Sequence, residues 1–402
     1  MRSLALTNHF SGLAVKRVSA VEADAGRSSS NQHEFNGVLG FQRMLGPCGE
    51  PRRYSAKMLY FSDDEEKHAS EESVVTWYDA RLNHPTRSEC RLYYPHCQAM
   101  EEAVEGDLLF IVQRNNESLL LIVCQSESTV ANQLLWLFNI EGTSLQQKFQ
   151  FREDLSDRDP GYAGRIILEE LEIEVDERDE NRLDEMLEKF DRSFPTTEVF
   201  SAYARETLPE VKPIDDPDQA LVDWMLQEEM LFRTLEKYFV EERLQTGFKD
   251  IDSFVQYSLS IQNRRKSRVG YALEHHLAEI FDRHRISYER GAKTEGKKKP
   301  DFLFPDGKSY HDPDYPVSQL SMLGVKSTCK DRWRQVLSEA DRIDRKHLLT
   351  MEPGISVSQT AEMKASQLQL VIPRELLQTY RNSQVDWLIT LRDFILHLKG
   401  HL

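Results

Sequence analysis

No stretch of the 402 residues approaches the run of about 18 apolar side chains that a membrane-crossing helix needs. The best run, Ser118–Cys124, is only strand-sized, so no membrane partner is expected. The segment Met1–Lys16 lacks a long apolar core and a cleavage site. No signal peptide is therefore expected, and the expected location is the cytoplasm of a prokaryotic cell. Cysteine is sparse: Cys48, Cys90, Cys97, Cys124 and Cys329 are odd in number and scattered, with no CxxC pair. That excludes a zinc ribbon and predicts reduced thiols. No internal repeat is present. Positive charge is also short, with a net of -16, which on its face argues against a polyanion partner. What is there is an ordinary globular mixture, 40% apolar and 29% charged. At roughly 100–200 residues per domain the length allows two to four domains.

The acidity is local. Residues 151–240 hold 26 acids and 11 bases, and the rest of the chain is nearly neutral. Residues 261–300 run the other way, with 11 bases and 5 acids, so a polyanion partner stays open for that part.

The order of elements suggests two working parts and an acidic join: a β-rich domain over 1–150, a linker over 151–190 and an α/β domain over 191–402. Short β-rich runs at Met58–Phe61, Val74–Tyr78 and Glu89–Tyr94 precede Asp107–Gln113 and Ser118–Cys124, which flank a hairpin signal at Arg114-Asn115-Asn116-Glu117. A helix over Ser126–Asn139 with Ser128 as cap follows, then helices at Asp184–Phe190, after Thr196, and over Leu221–Glu242. Beyond Arg268 the pattern predicts a helix over Gly270–His284 and strands at Ile286–Glu289, Asp301–Phe304 and Leu320–Lys326. A helix over Asp331–Asp344 and strands at Leu348–Met351 and Leu368–Ile372 complete it. Helix, three strands, helix, strand is the αβββαβ order of the PD-(D/E)XK nuclease core, although order alone is weak evidence of function.

The chemistry-bearing residues sit in that block. Asp301 opens one strand after Pro300, Lys326 ends the next, and Glu339 falls on the following helix. On a continuous helix Arg332, Val336 and Glu339 share a face, with Arg332 about 10 Å along the axis from Glu339. Asp301 and Glu339 are the candidate ligands of Mg²⁺, which prefers oxygen donors. Lys326 is placed to orient the attacking water and stabilise phosphorane charge. Glu274 adds a third carboxylate beside the apolar positions Leu277 and Phe281. Bland readings exist for each: Pro-Asp as a turn, Lys326 as a strand-end lysine, and Glu339 as a solvated partner of Arg342.

Several stretches resemble the catalytic domain of the EcoRII-like restriction endonucleases. They are Asn263–Arg268, Thr294-Glu295-Gly296, Lys299–Pro305, Tyr310-His311-Asp312 and Val325–Gln335, within a likeness covering about 190–375. The resemblance implies a PD-(D/E)XK variant in which the last acid has moved onto the helix, with Asp301, Lys326 and Glu339 as its catalytic set. It also matches Glu274 to the family's helix glutamate, and Tyr310 and His311 to its Tyr-His pair, which makes Glu274 and Tyr310 further catalytic candidates. By the same likeness Lys330-Asp331-Arg332 stands where related enzymes that cut CC/GG-ended sites read bases. Arg or Lys can donate to guanine, and Asp can accept from cytosine N4. Arg264, Arg265 and Arg268 are the expected phosphate contacts.

The N-terminal half resembles the plant-type pseudobarrel domain of that family, which binds a second, effector copy of the site. Arg81, Arg87, Glu89 and Arg91 are the positions carried over, but Leu92-Tyr93-Tyr94-Pro95 departs from the family pattern. Two classes of function follow. One is a Mg²⁺-dependent, site-specific nuclease that cuts double-stranded DNA as a homodimer under N-terminal control. The other is a non-cleaving DNA-binding relative.

Overall fold

The computed structural model describes residues 5–27, 33–37, 39–64, 67–140, 150–152, 155, 161–173, 180–329 and 332–400. Two compact units divide the chain, residues 1–172 with 354–357 and residues 173–353 with 358–402. Among the described residues no helix is long and apolar enough to cross a membrane.

The first unit is β-rich, as expected. Its strands are β1 (Phe10–Arg17), β2 (Glu34–Asn36), β3 (Arg52–Phe61), β4 (Ala69–Asp79), β5 (Cys90–Tyr93), β6 (Leu108–Arg114), β7 (Leu119–Cys124) and β8 (Gln150–Arg152). They form one sheet in the order β2-β5-β4-β3-β7-β6-β1-β8. Among the described residues of this sheet only the β3–β7 pairing is parallel. The β6–β7 turn closes as the sequence predicts, with Glu117 in the left-handed region (φ +64°) and Glu117 N donating to Arg114 O at 3.0 Å. Ser128 caps the helix Thr129–Leu137 by accepting from Ala131 N. β1, in a stretch that looked aperiodic, is buried on both faces through its centre, so alternation could not mark it.

One expectation is corrected here. Cys48 and Cys90 are joined in a disulfide, their Cα atoms 5.5 Å apart, while Cys97, Cys124 and Cys329 are free and buried. The sheet brings the start of β5 beside a loop 42 residues earlier, a proximity that linear spacing does not show. The acidic stretch expected as a linker also carries β8 and the helices Gly161–Glu170 and Leu183–Lys189, which bury Ile167, Leu168, Met186 and Leu187.

The second unit holds a mixed sheet in the order β14-β13-β12-β11-β10-β9. Its strands are β9 (Glu289–Arg290), β10 (Phe302–Phe304), β11 (Ser321–Lys326), β12 (Lys346–Thr350), β13 (Leu368–Ile372) and β14 (Ile389–Thr390). β9, β10 and β11 pair antiparallel; β11 through β14 run parallel. β12 and β13 are buried at every residue, which is why they read as unbroken apolar runs. A helix over Ile251–Arg283 buries Leu273, Leu277, Ile280 and Phe281, and the Phe281 ring meets Phe302 edge-on at 5.3 Å. With the short helix Trp333–Val336 after β11, the unit has the αβββαβ order of the PD-(D/E)XK core.

Two helices differ from expectation. The helix through Glu274 begins at Ile251, capped by Asp250, so Asn263–Arg268 is helical and not a loop. The helix expected over Asp331–Asp344 is cut to Trp333–Val336. Ser338 N and Glu339 N then close tight turns on Gln335 O and Val336 O at 3.2 and 3.1 Å, and Ala340 takes a φ of +52°. Glu339 therefore sits on a turn and does not share a helix face with Arg332 and Val336.

Candidate active site

The antiparallel register of β10 with β11 sets the first two members of the site. Phe302 lies opposite Leu323, so Asp301, just before β10, meets the end of β11. Asp301 Oδ2 accepts from Val325 N at 2.6 Å and from Lys326 Nζ at 3.1 Å. The lysine is thus tethered by the carboxylate on the neighbouring strand.

Glu339 completes the constellation. Its Oε2 is buried and has no hydrogen-bond partner among the described residues. Burial first, and then the Asp301 charge, push its carboxyl up to about 7, against the pull of Lys326, Lys298 and Lys346. Glu274 is also raised, by burial and by Asp301, while a hydrogen bond from Arg290 at 2.6 Å opposes the rise. Arg290 also donates to His275 Nδ1 at 3.2 Å. Asp301 is therefore the charge that both glutamates sense, and Glu274 is already occupied by an arginine. Among the described residues no group of three Asp, Glu, His or Cys side chains is close enough to share a metal ion.

Tyr310 is fully buried, and its hydroxyl donates to Glu295 and accepts from Arg342 N at 3.1 Å. Burial and Glu295 push the phenol up to about 12, so it stays protonated. His311 Nε2 donates to Lys293 O at 2.9 Å. Both residues brace loops beside the site. Arg342, the partner of Glu339 in the bland alternative, instead donates to the Asp312 carbonyl at 2.9 Å and to that of Tyr310.

The predicted DNA contacts divide. Lys330 and Asp331 lie outside the described residues. Arg332 is exposed at the start of the short helix. Arg268 is buried and ion-paired with Glu229 and, at 3.6 Å, with Glu228, so its guanidinium does not face solvent as a phosphate contact must. Arg265 meets buried Glu236 at 2.6 Å, and Arg264 lies over the Phe194 ring at 4.2 Å. All three acids come from the helix Pro217–Thr246. In the first unit Arg81 and Arg91 both engage Glu89, and Arg91 also reaches Glu34 at 3.3 Å. Arg87 is exposed on the loop between β4 and β5. Asp79, which sequence reasoning missed, closes that loop by accepting from Arg81 N and Glu89 N at 2.8 and 2.7 Å. Its only sequence signal was an acid at the end of a β run.

Residues 232–395 match the family model described as EcoRII C terminal. This part of the chain is similar to the EcoRII C-terminal family. The type II restriction enzyme EcoRII of Escherichia coli is 43% identical over 208 residues, 52% of this chain and 51% of that protein. The chain thus spans about half the length of the curated relative it matches. Two solved structures are also similar. One is metal-depleted Ecl18kI with uncleaved, modified DNA, at a TM-score of 0.45 and 18% identity, covering 56% of this chain and 85% of that one. The other is the complex of restriction endonuclease PspGI with substrate DNA, at 0.43 and 17%, covering 52% and 95%. The EcoRII C-terminal match contains Glu274, Asp301, Lys326 and Glu339.

Proposed function

We propose that the chain is a type II restriction endonuclease, a hydrolase that makes Mg²⁺-dependent double-strand breaks at a short, near-palindromic, CC/GG-ended DNA site. The observation that carries this reading is the Asp301–Lys326 pair at adjacent strand ends, with the Glu339 carboxyl within its electrostatic reach.

The donor set suits a hard divalent cation. Glu339 presents a buried, unpartnered oxygen, and Asp301 retains Oδ1 beyond the bonds made by Oδ2. When bound, Mg²⁺ supplies Lewis-acid polarisation of the phosphate and a more acidic water. Asp301 and Glu339 would hold it through their carboxylates, and the shared cation would offset the repulsion between them. Lys326, tethered by Asp301, keeps its ammonium facing the reacting phosphate and stabilises the added charge as water oxygen bonds to phosphorus and the sugar oxygen leaves. Arg332, with Lys330 and Asp331, is assigned to base reading.

Two strands offer two scissile phosphates, so a homodimer with two equivalent sites is the working assembly. Effector DNA bound through Arg81, Arg87, Glu89 and Arg91 is assigned to control. The test is supercoiled plasmid and genomic DNA, methylated and unmethylated, incubated with Mg²⁺ or with EDTA. Discrete Mg²⁺-dependent fragments are expected. Site-specific binding without any scission would make this a non-cleaving relative.

A further inference from the structure

The turn that carries Glu339 is held from a distance. Three consecutive backbone amides, those of Ala340, Asp341 and Arg342, donate to three side chains from the two sides of β10, Thr294 and Glu295 before it and Tyr310 after it. Ala340 N donates to Thr294 Oγ1 at 3.4 Å, Asp341 N to Glu295 Oε2 at 3.1 Å and Arg342 N to Tyr310 Oη at 3.1 Å. The acceptors are themselves linked. Tyr310 Oη donates to Glu295 Oε1, and Thr294 Oγ1 donates to Lys298 O at 3.4 Å. Thr294 N also donates to Lys298 O at 3.1 Å, which closes the loop on itself. Those amides would otherwise continue the helix that stops at Val336. With them captured, the chain turns at Ala340, whose side chain is fully buried, and Glu339 is left one residue before the captured run.

We infer that Thr294 and Glu295, together with Tyr310, are positioning residues: a side-chain latch that fixes the turn and thereby holds the Glu339 carboxylate beside Asp301. The inference rests on the nuclease reading above and adds residues to it that touch neither the phosphate nor the metal. Glu295 is the centre of the latch, because its two oxygens serve different partners. Its bond to Tyr310 holds the phenol oriented to accept from Arg342 N.

The test uses the full-length protein with Glu295→Ala, Glu295→Gln, Thr294→Val and Glu339→Ala. Amide hydrogen exchange over residues 340–342 reads the latch itself and needs no activity. Exchange at least tenfold faster in Glu295→Ala, with the Gln variant close to wild type, is expected, because Gln keeps an acceptor for Asp341 N. Thr294→Val should speed exchange at Ala340 alone. Mg²⁺ binding by calorimetry should weaken at least fivefold in Glu295→Ala, and Glu295→Ala should add little to the loss already caused by Glu339→Ala. Single-turnover cleavage should fall at least tenfold, with duplex Kd in EDTA unchanged. Unaltered exchange at 340–342 in Glu295→Ala overturns the latch. Faster exchange with wild-type metal affinity and cleavage overturns the positioning role. A wild-type protein that cuts no duplex overturns the nuclease reading, while the exchange data still judge the latch.

Discussion

Asp301 and Lys326 share one short contact, yet their roles in the proposed reaction separate cleanly from recognition. Asp301→Ala or Lys326→Ala is expected to abolish cleavage of cognate DNA and leave duplex binding within a few-fold, as gel-shift and cleavage assays on one preparation would show. Loss of binding with residual cutting of the bound fraction would move both residues into recognition. Glu339 gives a prediction in the opposite sense to an ion-paired carboxylate. Its folded value is raised to about 7 from an ordinary 4.5, so between those values the folded state holds more protons than the unfolded one. Stability contributed by this group is present below the lower value, falls as pH rises through the window, and stays lost above it. In EDTA, denaturant titrations from about pH 5 to about pH 8 should therefore slope less for Glu339→Gln than for wild type, with the variant the more stable at the alkaline end. Mg²⁺ competes with that proton, so its apparent affinity should climb with pH and level off above about 7. A pH-independent affinity across that range would place the metal elsewhere.

Between strand β11 and the short helix after it, packing leaves no room for a side chain. A Cβ on Gly324 would meet Val336 Cγ2 at 2.8 Å and Cγ1 at 3.0 Å. Gly324→Ala should cost about 1–3 kcal/mol by overpacking. The cost should shrink when Val336→Ala is added, a coupling that a double-mutant cycle reads directly. Simple additivity would mean that the helix moves away freely. The same elements show what the sequence made legible. β11, β12 and β13 announce themselves as apolar runs, Ser128 caps the helix it was expected to cap, and a helix starts after Thr196 as expected. Asp301, Lys326 and Glu339 were expected from their order along the chain and from the resemblance, and the β10–β11 register brings Asp301 and Lys326 together. What escaped was non-local or unpatterned. The long helix begins at Ile251, but Ile251, Phe254, Val255 and Leu259 are exposed, so no buried stripe marks its first turns. The end of the helix before Glu339 depends on side chains more than 30 residues away in sequence. Arg265 and Arg268 looked like a phosphate-binding run because their acidic partners lie on another helix.

At the scale of the whole molecule, charge separates into segments and the division of the chain suggests where control is exerted. The acidic stretch over 151–190 and the basic stretch over 261–300 are the two sides of that separation. Within the second unit several of those bases are already matched: Arg265 by Glu236, Arg268 by Glu229 and Glu228, Arg290 by Glu274 and Lys298 by Asp341. The unit boundary also sets the point of truncation. Leu183–Lys189 packs Met186 and Leu187 with Phe200, Tyr203 and Leu231, so a cut at 185 would open that cluster, whereas a cut after Glu172 follows the boundary between units. If the first unit restrains cleavage, a chain starting at Ile173 should remain dimeric by sedimentation and cut single-site DNA faster than the full-length protein. If the restraint is electrostatic, added salt should narrow that difference, because exposed charges are screened beyond about 8–10 Å near physiological ionic strength. Circular dichroism and denaturation of the truncated chain establish folding independently of rate. A folded, dimeric fragment that cuts single-site DNA more slowly at every salt concentration would show that the first unit delivers the nuclease to DNA and does not hold it back.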